Sequence, residues 1–460
     1  MRLVYLLFLF HINLAITCLL PKGPIFTALS YWEALSAGSL NVVELFLLAE
    51  YLNGTAIEPY VSDLNSQHPF SGRKEMYKKN RLYSHIFSMD ELSILTGLKH
   101  IPQSGDRITL CQGKKETNAI LVMYNVSSSF RDSFILGDKC KKIIGINKLI
   151  EIQQALSDIP MKYWCISSKI SVLPPELLHD YSINIIVNWQ GIRHGQENRI
   201  QWYSKFIKPT PHLSQIFSTI HPNITQLSNN IISQLKKPYL TVHLRIGRML
   251  ALYHREAIEM PQIYASLSDS VIDCIVYNID KLLGEHLFKG ILVLDDFDEM
   301  KYKPEMEYFK NRMQDRLHLA FKEINQSNID VRYSVEMISK EAGCFYNSTQ
   351  LKNRWLHLMN REHECINAKE EYSMNYVILD LGIASHGDFI LRVGMSLFGE
   401  TMCYLGSNIT KASCMNILHS DKGFREPEFE KAMKNDCPLQ YNSYKELLLT
   451  SATNTHILPI

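Results

Sequence analysis

The sequence predicts an α/β chain of two doubly wound domains, and three observations carry that prediction. Short β-rich runs alternate with helical patterns of three turns or more, the order expected when helices cover both faces of a mostly parallel sheet. The 460 residues hold 46% apolar and 21% charged side chains, a globular mixture long enough for two cores. The apolar run Tyr239-Leu-Thr-Val-His243 stops in a cation and then glycine, at Arg245 and Gly247, and a guanidinium fixed at the carboxyl end of such a strand is where nucleotide-binding α/β domains hold diphosphates.

The amino terminus stands apart from this pattern. One basic residue, Arg2, precedes a nearly unbroken apolar run to Leu20, and Pro21-Lys-Gly-Pro24 then stops any helix. That reads as a secretory signal over residues 1–20, with the membrane a partner only if the segment stays uncleaved. Six Asn-x-Ser/Thr sequons, at Asn53, Asn125, Asn223, Asn325, Asn347 and Asn408, fit a secretory lumen, endoplasmic reticulum or Golgi, or a secreted protein. The ten cysteines lack metal-type spacing and read as disulfide cysteines, with an odd one left once Cys18 departs with the signal.

The first domain is expected over residues 21–235. Asn41, three residues ahead of Glu44, resembles a capping box before the apolar helical pattern Val42–Leu52, which would place Asn41 at an anion-attracting helix N-terminus. Strands are expected over Thr55–Val61, Asn118–Tyr124 and Ile183–Trp189, with a helical stretch near Ile146–Leu156 and a connecting helix from His212 to Leu235 that runs through Pro222.

The second domain, residues 236–440, alternates more cleanly. Strand Tyr239–Arg245, helix Ser270–Leu283, strand Gly290–Leu294, helix Met306–Ile324 and strand Ile329–Val335 follow in turn. An acidic residue, Asp380, then precedes a short helix expected near Leu381, a strand Asp388–Leu391 and a small-polar turn into another helix; residues 441–460 read as a tail. Both halves are Rossmann-like. Forty-eight Lys+Arg against forty-seven Asp+Glu leave a formal charge of +1, so no global field draws polyanions and nucleic acid is not expected as a partner. P-loop, Gly-x-Ser-x-Gly and His-Glu-x-x-His patterns are absent, which removes support for kinase, hydrolase and zincin chemistry.

Three segments in order resemble the GDP-fucose protein O-fucosyltransferase family: Gly38-Ser-Leu-Asn41 with Leu52-Asn-Gly-Thr55 and Pro59, His243-Leu-Arg-Ile-Gly247, and Asp380 through Phe398. The resemblance implies a GT-B fold, with the two domains facing across a cleft, the first carrying the acceptor side and the second the sugar nucleotide. It implies a fucosyltransferase that moves fucose from GDP-fucose to a hydroxyl of a protein or glycan acceptor in the secretory pathway, without metal or cofactor. Arg245 would bind the β-phosphate and stabilise the departing GDP. His243 and Gly247 would contact the nucleotide, and Gly38 and Asn41 would approach the phosphates or sugar. Asp380 would accept from guanine N–H groups and Phe398 would pack on the base. Ser396 and the backbone of Leu397 would hold phosphate.

The chain departs from the family pattern in three places, one of them Arg248-Met249, which follows Gly247 where many members have an acidic residue. Ser396-Leu397-Phe398 stands where the family has Ser-Ser-Phe, and Arg392-Val-Gly394 stands where it has Gly-Asn-Cys. The general base is not visible; Glu33 and Glu44 lie near the amino-terminal loop without matching a family position. Two rival readings follow from the residues. One is a catalytically inactive secreted descendant that binds sugar or protein. The other is a metal-dependent transferase in which Asp296 and Asp298, after the strand ending at Leu294, chelate a divalent cation.

Overall fold

A computed structural model describes residues 25–28, 35–51, 54–56, 60–61, 81–97, 118–124, 134–144, 161–167, 184–187, 213–246, 261–295, 304–341, 376–420 and 426–454. Contacts divide the chain into two units, residues 1–221 and 222–460. The division falls ahead of the expected boundary at residue 235.

In the first unit the described elements are β1 (Ile25–Ala28), α1 (Leu35–Tyr51), β2 (Thr55–Ala56), β3 (Tyr60–Val61), β4 (Arg81–Leu82), α2 (Met89–Thr96), β5 (Asn118–Tyr124), β6 (Phe134–Leu136), α3 (Asp138–Ile144), β7 (Met161–Ser167), β8 (Asn184–Val187) and α4 (Leu213–Phe217). A six-stranded sheet runs β2-β1-β8-β5-β7-β6, parallel except for the antiparallel edge strand β6. The strand expected over Thr55–Val61 is two strands. Thr55–Ala56 joins this sheet, whereas Tyr60–Val61 pairs with β4. The helix expected near Ile146–Leu156 lies outside the described residues.

Helix α1 corrects the capping box. It begins at Leu35, so Asn41 lies inside the helix rather than at its N-terminus, and Glu44, 1% exposed, is a buried interior residue. The apolar residues Val42, Val43, Leu45, Phe46, Leu47 and Ala49 are all buried, so the run that reads as helical core continues upstream through Ser39, also buried.

The second unit comprises α5 (Pro222–Ile232), β9 (Tyr239–Leu244), α6 (Pro261–Glu285), β10 (Gly290–Asp295), α7 (Pro304–Gln326), β11 (Asp330–Tyr333), α8 (Ser334–Glu341), α9 (Tyr376–Ala384), β12 (Phe389–Val393), α10 (Leu397–Ile409), β13 (Ser413–Ile417), α11 (Pro427–Asp436) and α12 (Pro438–Asn454). Five of these helices start on proline, whose fixed φ suits the first helical position and whose missing N–H is not needed there. That chemistry explains two differences from expectation: Pro222 opens α5 instead of interrupting a helix from His212, and α6 starts at Pro261, ahead of Ser270.

All five strands are parallel in the order β11-β10-β9-β12-β13. Along the chain that is third, second, first, fourth, fifth, the doubly wound order of dinucleotide-binding domains. Strand β9 is central and every residue of it is buried. Its alternation assigns the two faces: Leu240, Val242 and Leu244 join a core with Ile272, Ile275 and Phe429, while Tyr239, Thr241 and His243 face the other way. Polar groups on that second face are met by α9, whose carbonyls at Ile383 and Ala384 accept the Tyr239 and Thr241 hydroxyls at 2.9 and 3.0 Å. Gly387 permits this approach, since a Cβ there would stand 2.4 Å from Thr241 Oγ1.

Residues 441–454 are not a tail. They belong to α12, which packs on α6 and buries Tyr444 completely. Among the described residues the disulfides Cys274–Cys437 and Cys403–Cys414 brace the unit. Among the described sequons Asn223, Asn325 and Asn408 are all exposed, as a glycan acceptor must be. Among the described residues no helix is long and apolar enough to cross a membrane.

Candidate functional site

Because the strands of the second unit are parallel, their carboxyl ends lie along one edge. The strand order reverses between β9 and β12, and in open α/β sheets ligands bind in the crevice outside the carboxyl ends at that reversal. The residues that leave the two strands there are Arg245 from β9 and the turn Gly394-Met395-Ser396 from β12. Pairing persists to the last step, with the Arg245 N–H donating to the Val393 carbonyl at 3.0 Å. Gly394 then adopts φ +79°, a left-handed conformation that glycine enters without Cβ strain, and the chain turns into α10.

Ser396 caps α10. Its backbone is extended and its Oγ accepts the Gly399 N–H at 3.2 Å, while the Glu400 N–H donates to the Ser396 carbonyl at 3.0 Å. The N–H groups of Leu397 and Phe398 precede these bonds and sit at the open, partially positive end of the helix. With its oxygen accepting at the cap, Ser396 has its hydroxyl proton left to donate beside the helix end.

His243 lies beneath that first turn, 6% exposed, with its ring 5.6 Å from the half-buried ring of Phe398. Burial foremost, then the positive charges of Arg245 and Arg392, push its pKa down to about 3, so the imidazole is neutral at physiological pH. Its Nδ1 is buried without a hydrogen-bond partner among the described residues.

A stability consequence follows. Unfolding restores an ordinary histidine pKa near 6.5, so the unfolded chain takes up a proton that the native chain refuses. The native advantage is complete above about pH 6.5 and declines by about 1.4 kcal/mol per pH unit as pH falls toward the folded value. Urea unfolding at pH 7, 6 and 5 should show this slope in the native protein and its loss in His243→Asn.

Of the sequence-predicted residues, the second unit brings His243, Arg245, Ser396, Leu397 and Phe398 to the β9–β12 reversal. Asp380 departs from expectation, because α9 begins at Tyr376 and Asp380 is an interior residue of that helix rather than one preceding it. Its carboxylate accepts the hydroxyl of Ser334, the residue that follows β11, which places it along the same carboxyl edge but two strands from β9. Gly38 and Asn41 belong to α1 of the first unit. Gly247, Glu33, Asp296 and Asp298 lie outside the described residues.

Arg392 is the residue that sequence reasoning treated only as a departure. It is 7% exposed on β12, directly beside His243 in register. A charged side chain between Leu391 and Val393 in a strand buried on both faces is itself a signal, since arginine is rarely buried without a task.

No family model and no curated protein matches the chain. Solved structures do. The chain is similar to POFUT1 in complex with GDP, at 13% identity and TM-score 0.45, covering 86% of this chain and 99% of the other. It is similar to POFUT1 in complex with GDP-fucose, at 12% identity and TM-score 0.44, covering 87% and 99%. It is also similar to an Arabidopsis thaliana FUT1 mutant in complex with GDP, at 9% identity and TM-score 0.33, covering 91% and 75%.

Proposed function

We propose that the chain is a luminal GT-B-type fucosyltransferase that takes fucose from GDP-fucose to a hydroxyl of a protein or glycan acceptor, without a metal ion. The observation that carries this reading is the meeting, at the reversal of the second sheet, of the His243–Arg245 strand end with the capped first turn of α10 and Phe398. A guanidinium, a helix N-terminus and an aromatic ring at one strand-end crevice suit the diphosphate and base of a nucleotide. The motif resemblance supplies the base and the sugar.

In this mechanism the acceptor hydroxyl oxygen bonds to C1 of fucose as the bond from C1 to the β-phosphate oxygen breaks, and the hydroxyl proton passes to solvent or to the departing phosphate. Charge then appears on that phosphate. Arg245 stabilises it, the α10 N-terminus shares the load, and neutral His243 adds no competing proton to the site. Asp380 is assigned to the base, Gly247 to the nucleotide, and Gly38 and Asn41 to the phosphates or sugar. The disulfides and exposed sequons support placement in the secretory lumen.

Calorimetry tests the donor first. GDP and GDP-fucose should bind at least about tenfold more tightly than UDP and ADP counterparts, a difference of about 1.4 kcal/mol. Radiolabelled GDP-fucose should then be hydrolysed or its fucose transferred. Binding without either reaction favours the inactive descendant, and chelator-sensitive turnover favours the Asp296/Asp298 metal reading.

A further inference from the structure

We propose that Arg392 is a second, buried cation of the β9–β12 crevice: a positioning residue that braces the Gly394–Ser396 turn from below and lends its charge to a diphosphate seated on the first turn of α10. This rests on the reading that the crevice receives a nucleoside diphosphate.

The argument begins with a polar row. His243, Arg392 and Asn416 are direct register neighbours on three adjacent strands, β9, β12 and β13, at one level of the sheet. Each leaves one buried atom without a hydrogen-bond partner among the described residues: His243 Nδ1, Arg392 Nε and Asn416 Oδ1. Buried polar atoms left unpaired across a sheet are costly unless something completes them.

Helix α10 descends onto two of these atoms. A Cβ on Gly399 would stand 2.9 Å from Arg392 Nε and 3.2 Å from His243 Nδ1, so glycine is what lets the helix start approach the cation. Arg392 Nη2 lies 3.4 Å from the Ser396 carbonyl and 3.7 Å from Glu400 Oε1. Both are long for a charge-assisted bond of about 2.7–2.9 Å, and the Glu400 side chain is 37% exposed, so water weakens its claim on the guanidinium. His243, uncharged, offers no compensation, and Arg245 adds a second positive charge nearby. The second unit thus holds a desolvated cation that its own carboxylate only partly neutralises, under a helix N-terminus of the same sign. An anion at the turn completes that arrangement.

The test is calorimetry on the full chain with inorganic pyrophosphate, GDP, GMP and guanosine. Native protein should bind pyrophosphate. Arg392→Met should weaken pyrophosphate and GDP at least tenfold, weaken GMP less and leave guanosine unchanged, and Arg392→Lys should recover most of the loss. Glu400→Gln should tighten pyrophosphate severalfold by releasing the guanidinium, and this variant carries the test if Arg392→Met fails to fold.

Equal losses for guanosine and GDP in Arg392→Met would reduce Arg392 to a packing residue and overturn the proposal. So would weaker pyrophosphate binding in Glu400→Gln, or none in the native protein. The pyrophosphate pattern without any preference for GDP over UDP would retire the fucosyltransferase reading and leave Arg392 in its role. Tight GDP binding unaffected by Arg392→Met would do the reverse.

Discussion

Arg245→Ala should lower fucose transfer by about 10³-fold in kcat, about 4 kcal/mol of transition-state stabilisation, with a smaller change in KM for GDP-fucose. The split follows from where charge develops. The β-phosphate oxygen gains negative charge only as the glycosidic bond breaks, so a guanidinium aimed there acts chiefly on the transition state. The proposed role suits its mounting: the Arg245 N–H is tied to the Val393 carbonyl at 3.0 Å and the preceding strand is buried over its whole length. Arg245→Lys should recover only part of the rate, because an ammonium cannot reproduce the planar fork. Steady-state kinetics with labelled donor check both variants; a native rate in Arg245→Ala removes the residue from the mechanism.

Replacing Cys274 and Cys437 together by Ala should cost the folded state about 4–5 kcal/mol, a large share of the roughly 5–15 kcal/mol that holds a typical domain. The bridge spans 163 residues, so in the chain-entropy account it removes far more unfolded-state freedom than Cys403–Cys414, which spans 11 and should be worth about 3 kcal/mol. It also anchors polar contacts, with Asn278 Nδ2 donating to the carbonyls of Cys274 and Asp436 at 3.0 and 3.2 Å. Urea unfolding of each double variant measures the two costs. A smaller loss for the 163-residue bridge than for the 11-residue one contradicts the ranking.

The second unit is largely legible because its three central strands, β9, β10 and β12, are buried and read as apolar runs. Tyr239–Leu244 and Gly290–Asp295 fall within a residue of expectation. Strand β13 was not legible: Ser413-Cys-Met-Asn-Ile417 is an edge strand, half exposed and lacking the apolar run that marks a central one. Helix starts were misplaced for local reasons. The capping chemistry of Asn41 and the acidic Asp380 both mimic N-terminal signals, yet α1 and α9 begin upstream, where apolar packing decides. At the site, Arg245 and Ser396 were visible through their motifs, whereas Arg392 emerged only when strand pairing set it beside His243.

The central position of β9 has a consequence for how the protein comes into being. Tyr239 is fixed by Asp388, 149 residues later, through a 2.9 Å bond from its N–H to the carboxylate. During synthesis the first strand of this sheet therefore waits, one edge bare, until β12 has left the ribosome. Contacts so distant along the chain close slowly. Any chain cut short before Val393 lacks one wall of the crevice altogether and leaves a greasy strand edge open to chaperones or to other nascent copies.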